Sequence, residues 1–347
     1  MLRRLFRIVF SKQRKQTHFE LSGEAFEKYV RIRDEGISLL KSETDVRNFS
    51  SLESRIRSKF ALTFYRRYSH KTGLLQVAAE ERIAMQQVSG LASVFMFHGD
   101  GRIREEAIHN LHEPMLAPAN VYALYWRLND WAPEVRQASL AAVNRVMPPT
   151  EASIIVPALW AILPYAYTWG RWSEEGAKEI DKILTRPDVA TVFLDEIKST
   201  RRSHLGLIFR QLSKTPWIDL HVESVFRDAP LPHIRAIALD MLLTCSARWP
   251  TGQKRRVWTN RSVGEFRTEP VFAKREITIE VDAIELIAAG AMDRSAMVRR
   301  RAVDGLIALR HNPDIIAAMP QIVTHLREDP NIGVRTRIEF LLRKEVL

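Results

Sequence analysis

The chain has 347 residues, of which 46% are hydrophobic, so it is long enough and apolar enough to bury a large core. Its single cysteine, Cys245, excludes an intramolecular disulfide and favours a reducing compartment, so we expect a soluble, cytoplasmic protein. The longest apolar run, residues 154–167, contains two prolines and is shorter than the roughly 20 residues that cross a bilayer.

The net charge of +11 is concentrated in three segments. Residues 1–19 hold six basic side chains and no acid, and residues 250–275 hold seven basic side chains against two acids. Residues 294–347 hold ten basic side chains against six acids. The basic character therefore belongs to particular segments, which suits contact with an anionic partner there.

Residues 1–19 form the first predicted element, a basic amphipathic segment. Leu2, Leu5, Phe6 and Val9 fall on one helical stripe, with arginines beside it. A short cationic helix of this kind makes weak contact with an anionic membrane surface or serves as an organelle presequence. A basic terminus that docks on the first helices explains the same pattern, so the choice stays open.

Residues 20–70 are predicted to form a helical cap of two helices, 22–42 and 51–68. The second helix has an apolar residue at every fourth position. These residues are Leu52, Ile56, Phe60, Phe64 and Tyr68. Both helices lack the motif that recurs later in the chain, and the terminal unit of a repeat protein must differ from internal ones because one face has no neighbour.

The stretch 129–143 contains the motif around which residues 71–347 can be arranged. Asp130 is placed to accept hydrogen bonds from backbone N–H groups at a helix start, and Pro133 has the φ angle of a first helical position. Val135 and the small residues that follow at helical spacing form one face for a neighbouring helix. The stretch predicts a turn and then a helix buried on one side, with Arg136 beside the buried face.

The same register occurs five times. Each copy has an aliphatic anchor followed by arginine, a small or aliphatic residue four positions after the anchor, and leucine or valine eight positions after it. The anchor pairs are Ile103-Arg104, Val135-Arg136, Ile234-Arg235, Val298-Arg299 and Val334-Arg335. Four copies have an aspartate five or six residues before the anchor, namely Asp130, Asp228, Asp293 and Asp329. Anchor separations of 32, 99, 64 and 36 residues indicate a solenoid.

This pattern resembles the HEAT repeat, whose unit is two antiparallel helices with an aspartate in the turn and an aliphatic-arginine pair early in the second helix. The resemblance implies an all-α fold: a right-handed α-solenoid of HEAT-like helical pairs, with a helical N-terminal cap and one non-helical insert. It also implies structural contacts between the aspartates and arginines of the motif, since a partly buried arginine usually needs a carboxylate partner. The residues with this structural role are Asp130, Arg136, Asp228, Arg235, Asp293, Arg299, Asp329 and Arg335.

The helical periodicity predicts seven pairs of helices. The pairs are 80–97 with 102–113, 119–128 with 133–145, 153–163 with 173–184, 188–197 with 203–212, 217–226 with 231–246, 277–289 with 296–309, and 314–326 with 333–344. An aromatic run links the two helices of the third pair and either fills packing gaps or offers stacking surfaces. The run consists of Trp160, Tyr165, Tyr167, Trp169 and Trp172.

Residues 250–275 depart from helical periodicity and are predicted to form an ordered loop or a short hairpin at the edge of the solenoid. Their basic and aromatic side chains suit phosphate backbones and bases, and equally suit an acidic protein surface. Basic residues on the second helices of the last two pairs are expected to lie next to the insert and to form one basic region with it. The candidate partner-binding residues are Lys254, Arg255, Arg256, Trp258, Arg261, Arg267, Arg300, Arg301, Arg337 and Lys344.

Two enzyme families of similar helical architecture provide alternatives. The HEAT-like deoxyhypusine hydroxylases bind two irons through several His-Glu dipeptides, whereas this chain has one, His112-Glu113, with His109 nearby. Trp126 and Asp130 are similar to the aromatic residue and the aspartate of HEAT-like alkylpurine DNA glycosylases, although Asp130 is also the turn aspartate of its repeat. The sequence contains no P-loop, dinucleotide-binding, zinc-protease or nucleophile-elbow motif. We expect no catalytic residue, metal or cofactor.

The sequence therefore predicts a non-enzymatic binding scaffold that engages a macromolecular partner through its groove and its basic insert. A protein partner is the first expectation. Nucleic-acid binding, with a DNA glycosylase as its enzymatic form, is the alternative. Steep salt dependence of binding would indicate nucleic acid, because phosphate contacts release counterions.

Overall fold

The computed structural model describes residues 20–43, 45–62 and 74–345. The predicted amphipathic segment 1–19 lies outside these ranges, as do Phe64 and Tyr68 of the predicted cap stripe. Within them the chain is mostly helical and contains one two-stranded antiparallel sheet. The predicted helical class is therefore confirmed, and the sheet occupies the region of the predicted insert.

Seventeen α-helices and two β-strands make up the described ranges. Before the sheet come α1 Gly23–Ser42, α2 Phe49–Lys59, α3 Leu74–Gln87, α4 Ala92–Phe95, α5 Gly101–His109, α6 Pro118–Arg127, α7 Pro133–Val146, α8 Ala152–Ile162, α9 Glu174–Leu184, α10 Pro187–Ser199, α11 Leu205–Leu212, α12 Val222–Asp228 and α13 Pro232–Leu243. The strands are β1 Ser246–Asn260 and β2 Glu265–Glu276. After them come α14 Ala283–Ala291, α15 Ala296–Leu309, α16 Pro313–Arg327 and α17 Ile332–Glu345.

Among the predicted helices that differ from the structure, three do so for a clear local cause. The predicted helix 51–68 ends at Lys59, and Ala61 then has a φ of 55°, outside the helical region. The predicted helix 80–97 is wrong as one element, because Gly90 with a φ of 80° lies in a turn between α3 and α4. The helix predicted from 277 begins at Ala283, where the Asp282 side chain accepts two backbone N–H groups.

The helices after the cap contact one another in two rows. In the first row, α6 packs on α8, α8 on α10 and α10 on α12, and α14 packs on α16. In the second row, α5 packs on α7, α7 on α9, α11 on α13, α13 on α15, and α15 on α17. Helices that follow each other in the chain also pack together across the two rows. Examples are α6 with α7 and α14 with α15. The buried hydrophobic core lies between the rows.

Small residues bring neighbouring helices close together. On α7, the predicted packing residues Ala138, Ser139 and Ala142 are all buried. Gly305 of α15 faces α13 so closely that a Cβ there would lie 2.6 Å from the Leu243 Cδ1 atom. The predicted pattern of small residues therefore marks real helix crossings.

Three arginines of the repeat motif each bind an aspartate in the turn of the next unit. Each uses Nε and Nη2 to donate to the two carboxylate oxygens, which is the strong bidentate geometry. The pairs are Arg104 with Asp130 at 3.1 and 3.0 Å, Arg235 with Asp293 at 2.8 and 2.9 Å, and Arg299 with Asp329 at 2.5 and 3.0 Å. These pairs join successive second-row helices and are largely shielded from solvent. We call them the arginine ladder.

All five motif arginines also bind their own turn. Each donates from Nη1 to the carbonyl oxygen six residues earlier, at distances between 2.6 and 2.9 Å. Arg136 and Arg335 make this carbonyl contact, but within the described ranges no carboxylate lies within ion-pair distance of either guanidinium. The carbonyl contact is thus the common element of the motif, and the carboxylate contact is added where a following unit supplies it.

Asp228 does not belong to the ladder, which corrects its predicted structural role. The three ladder aspartates stand six residues before the arginine of their own repeat, whereas Asp228 stands seven before Arg235. Ala229 stands six residues before Arg235, where the ladder aspartates stand in their repeats, and it contributes only its main-chain carbonyl oxygen to Arg235. Asp228 instead lies near solvent, with its Oδ2 atom 3.6 Å from the Lys198 ammonium group.

The ladder predicts unequal effects for two arginine substitutions. Arg235→Met leaves the Asp293 carboxylate partly buried without its ionic partner, so we expect the free energy of unfolding to fall by about 3 kcal/mol. Arg136→Met removes only hydrogen bonds to two main-chain carbonyls, so we expect a loss of about 1 kcal/mol. Urea unfolding followed by circular dichroism measures both losses, and equal losses would contradict a stabilising role for the carboxylate.

The ladder also predicts a dependence of stability on pH. Hydrogen bonds from Arg299 hold the pKa of Asp329 below its usual range, against the opposing effect of burial. The carboxylate therefore stabilises the fold above its unfolded-state pKa of about 4, and this stabilisation is lost as the pH falls through the lower folded-state pKa. We expect the unfolding free energy to drop between about pH 5 and 2, and to drop less in Asp329→Asn. The same pH dependence in both proteins would contradict this.

Candidate functional site

The insert is a long antiparallel β-hairpin. Its strands pair from Ser246 with Glu276 to Asn260 with Glu265, with irregularities at residues 250–254 and 258–260. The hairpin thus extends beyond the predicted insert at both ends and is longer than the short hairpin that the sequence indicated. We call residues 246–252 and 271–276 the root of the hairpin. The root packs on α11, α13 and the 3-10 segment Ala166–Thr168.

Arg275 fixes the root of the hairpin to the helices. Its guanidinium donates to both carboxylate oxygens of Asp219, at 2.8 and 2.5 Å. It also donates to the carbonyl oxygens of Ser213 and Thr215, at 2.8 and 3.0 Å. Although Arg275 adds to the positive charge of the insert, these contacts occupy its donors. It is therefore an anchor rather than part of a binding surface.

A glycine makes a second contact at the root. Gly252 has a φ of 84°, in the left-handed region that favours glycine. A Cβ atom at this position would lie 2.7 Å from the carbonyl oxygen of Tyr167. The backbone of β1 therefore lies directly on the aromatic link between α8 and α9.

Most of the aromatic run packs against the helices rather than offering stacking surfaces. Trp160 stacks on Phe193 with ring centroids 5.5 Å apart, and Trp169 and Trp172 are partly buried against the core. Tyr165 differs, because its ring is exposed and its hydroxyl lies 3.2 Å from the His204 Nε2 atom.

Beyond the root, residues 253–270 project into solvent, and we call them the distal arm. Nearly all of its side chains are exposed on both faces of the ribbon. Trp258 is 46% exposed and Phe266 is 44% exposed, large fractions for aromatic rings. The distal arm carries five basic side chains against two acids.

Strand register divides the distal arm into two different faces. Cross-strand partners share a face, and residues alternate between faces along a strand. One face contains Lys254, Arg256 and Trp258, with their partners Pro270, Thr268 and Phe266. The Trp258 and Phe266 rings meet edge to face with centroids 5.5 Å apart, and the Arg256 guanidinium lies 4.7 Å from the Phe266 centroid. We call this the aromatic face.

The opposite face is neutralised by ion pairs, and we call it the ion-pair face. Glu269 accepts from Arg255 at 3.3 Å and from Arg267 at 2.7 Å. Alternation along β2 places Glu265 on the same face. Arg261 lies in the exposed turn that joins the strands. Of the predicted insert residues, the structure therefore brings Lys254, Arg256 and Trp258 together on a face without acids.

The predicted basic residues of the last second-row helices are mostly paired. Asp304 lies 3.3 Å from Arg301 and 2.7 Å from Arg337, and Arg300 donates to the Ala296 carbonyl oxygen within its own helix. Lys344 lies on α17, but its side chain is outside the described part of the chain. Basic charge near these helices is therefore weaker than the sequence indicates.

Two further arginines, Arg210 of α11 and Arg248 of β1, lie where the hairpin root meets the helices. Burial lowers the pKa of Arg210, Asp240 opposes this shift, and the charges of Arg301 and Arg248 lower the pKa further. The Arg210 guanidinium also donates to the Arg248 carbonyl oxygen at 3.1 Å. Arg210 thus contacts the root and lies within electrostatic range of Arg301, an arrangement that depends on long-range packing and has no signal in the sequence. The single basic region formed by the insert and the last helices stays a prediction.

Asp130 and Trp126, which were considered for an enzymatic role, have structural partners. Both carboxylate oxygens of Asp130 accept hydrogen bonds, from Arg104, Arg127 and the Ala132 backbone. Trp126 packs among three aromatic rings, those of Phe49, Tyr122 and Trp169. In the described ranges, no three histidine, cysteine, aspartate or glutamate side chains are grouped as metal ligands. None of the described helices has both the length and the apolar composition needed to cross a bilayer.

Together, the helix rows and the hairpin define a helical protein that carries a projecting basic β-arm. No protein-family model, curated protein or solved structure matches the chain. The resemblance to HEAT repeats therefore depends on the motif residues and contacts described above.

The anchoring role of Arg275 predicts a local change in hydrogen exchange. Arg275→Gln removes the ionic contact to Asp219, so we expect the amides of strand residues 246–250 and 272–276 to exchange on the order of 100-fold faster. Lys274→Gln removes the same charge from an exposed neighbour and is the matched control. Hydrogen exchange with mass spectrometry measures both, and equal exchange in the two variants would contradict the anchor.

Proposed function

We propose that the protein is a non-enzymatic binding scaffold that engages a macromolecular partner through its basic hairpin arm. In this proposal the helical pairs form a right-handed α-solenoid of HEAT-like units, and the scaffold acts in the cytoplasm without a metal or cofactor. The two rows of helices and the arginine ladder support the solenoid. The exposure of the distal arm on both faces carries the proposal of binding.

The distal arm contributes little to the stability of the helical body. Its side chains bury little surface, and a two-stranded ribbon without a covering layer is marginally stable in water. The root, by contrast, is held by Arg275 and by the contact of Gly252 with Tyr167. A fixed root and an exposed distal arm are typical of an element that binds a partner.

The charge of the distal arm defines the chemistry of that partner. Its five basic residues against two acids require an anionic surface. An acidic protein surface meets this requirement and fits the scaffold proposal directly. Nucleic acid also meets it, and the observation that favours this second candidate is the pairing of exposed aromatic rings with unopposed cations on the aromatic face.

Removing the distal arm tests the proposed function. A variant with residues 253–270 replaced by an Asn-Gly turn keeps the root, so we expect an unchanged circular dichroism spectrum. We expect at least about a tenfold loss of affinity for labelled polyanions, measured by fluorescence anisotropy at about 50 mM salt. The polyanions are a polyglutamate peptide, a single-stranded oligonucleotide and a duplex.

A charge-matched variant provides the control. Arg31→Gln, Arg82→Gln and Arg327→Gln together remove three positive charges at exposed positions on the helices, which equals the net charge of the distal arm. We expect this triple variant to retain most of its affinity. Equal losses in both variants would mean that net charge alone attracts polyanions, and the proposed function would then be wrong.

A further inference from the structure

The two faces of the distal arm have different chemistry although they belong to the same two strands. On the ion-pair face, Glu269 lies between Arg255 and Arg267 and neutralises much of their charge. On the aromatic face, alternation along β1 and β2 places two cations, two aromatic rings and no acid. We propose that the aromatic face binds unpaired nucleotides of a single-stranded nucleic acid. This inference rests on the proposed role of the hairpin arm as the binding element.

Phosphate groups match the cations of the aromatic face. Lys254 and Arg256 lie two residues apart on one strand, so their side chains point to the same side of the ribbon. Neither makes an ion pair among the described residues. Both are exposed, so they meet a phosphate without first breaking a carboxylate contact. Phosphate contacts hold a strand in register on a protein surface without reading its sequence.

The aromatic rings match bases rather than phosphates. Trp258 and Phe266 remain about half exposed although they contact each other, so each keeps ring surface available to a ligand. A base stacked on such a ring contributes binding free energy whatever its identity, because every base has a π face. Arg256 already lies over Phe266, so its guanidinium is held between the ring and any incoming phosphate.

An acidic protein surface explains these features less well. Carboxylates would be attracted by Lys254 and Arg256, but they give no reason for two exposed rings between those cations and the arm tip. A ligand that carries both anionic and aromatic groups matches the cations and the adjoining rings of this face. A nucleic-acid strand carries both, in its phosphates and bases.

A single strand fits better than a duplex. In a duplex the bases stack on one another and present only their edges to a ribbon in the major groove. Edge reading uses side chains with paired donors and acceptors, whereas the aromatic face carries the rings of Trp258 and Phe266 at its turn end. Unpaired bases are free to stack on these rings. From Lys254 to Trp258 the strand spans roughly 14 Å, so the face holds a few nucleotides.

Fluorescence anisotropy with three labelled probes tests the inference on the intact chain. The probes are a single strand of about 12 nucleotides, an abasic strand of the same length and charge, and the duplex that the intact single strand forms with its complement. We expect the single strand to bind about tenfold more tightly than either of the others, because only it offers free bases. DNA and RNA strands are both used, since they share phosphates and unpaired bases.

Point variants assign the binding to one face. Trp258→Leu is expected to remove the preference for the single strand over the abasic strand, and Trp258→Phe to restore most of it. Arg256→Gln is expected to weaken binding of both strands about tenfold and to reduce the salt dependence. Arg255→Gln removes the same charge from the ion-pair face at the adjacent residue, and we expect less than about a twofold effect.

The outcomes separate this inference from the proposed function. Equal affinity for intact and abasic strands, or equal effects of Arg255→Gln and Arg256→Gln, overturns the single-strand inference. Arm-dependent binding of polyglutamate in preference to every nucleic acid also overturns it, while the scaffold proposal stands. Unchanged single-strand binding after removal of residues 253–270 overturns both. An unchanged circular dichroism spectrum for each variant shows that its change in affinity does not come from a loss of folded structure.

Discussion

The helical body depends on the bond between a motif arginine and the aspartate of the next unit. Burying a guanidinium between helices costs free energy unless its N–H donors are hydrogen-bonded. In the ladder each donor nitrogen has a fixed partner. Nη1 binds the carbonyl oxygen of the arginine's own turn, and Nε and Nη2 bind the carboxylate of the following turn. Because one planar group binds both turns, it sets the distance and rotation between successive units.

The ladder stops between Arg136 and Arg235, and the hairpin root lies beside this gap. There, Arg275 makes the same kind of contacts as a ladder arginine, a bidentate bond to Asp219 and bonds to main-chain carbonyls, but it reaches them from a strand. Aromatic packing, such as Trp160 on Phe193, fills the same region. The middle of the protein thus uses an inserted element to make a link that the repeats make elsewhere.

The motif register was predictable because it depends on local spacing. Three of the five arginines bind the carboxylates of three of the four aspartates as expected, whereas Arg136 and Arg335 bind only main-chain carbonyls. Asp228 stands one residue out of register and binds no motif arginine. The hairpin was harder to predict, because the distal arm is exposed on both faces and so lacks the apolar alternation of a half-buried strand. Its two faces depend on pairing Lys254 with Pro270, which the turn and the bulges determine.

The ion pairs explain why positive charge in the sequence is a poor guide to the binding surface. Arg301 and Arg337 share Asp304, and Arg255 and Arg267 share Glu269, so these four cations produce a weakened field. Lys254 and Arg256 keep their field because strand alternation puts both acids of the distal arm on the other face. The candidate site is therefore a consequence of register. A shift of one residue in the pairing would bring Glu269 onto the face of Lys254 and Arg256, where it would cancel the charge that attracts the ligand, and would separate Phe266 from Trp258.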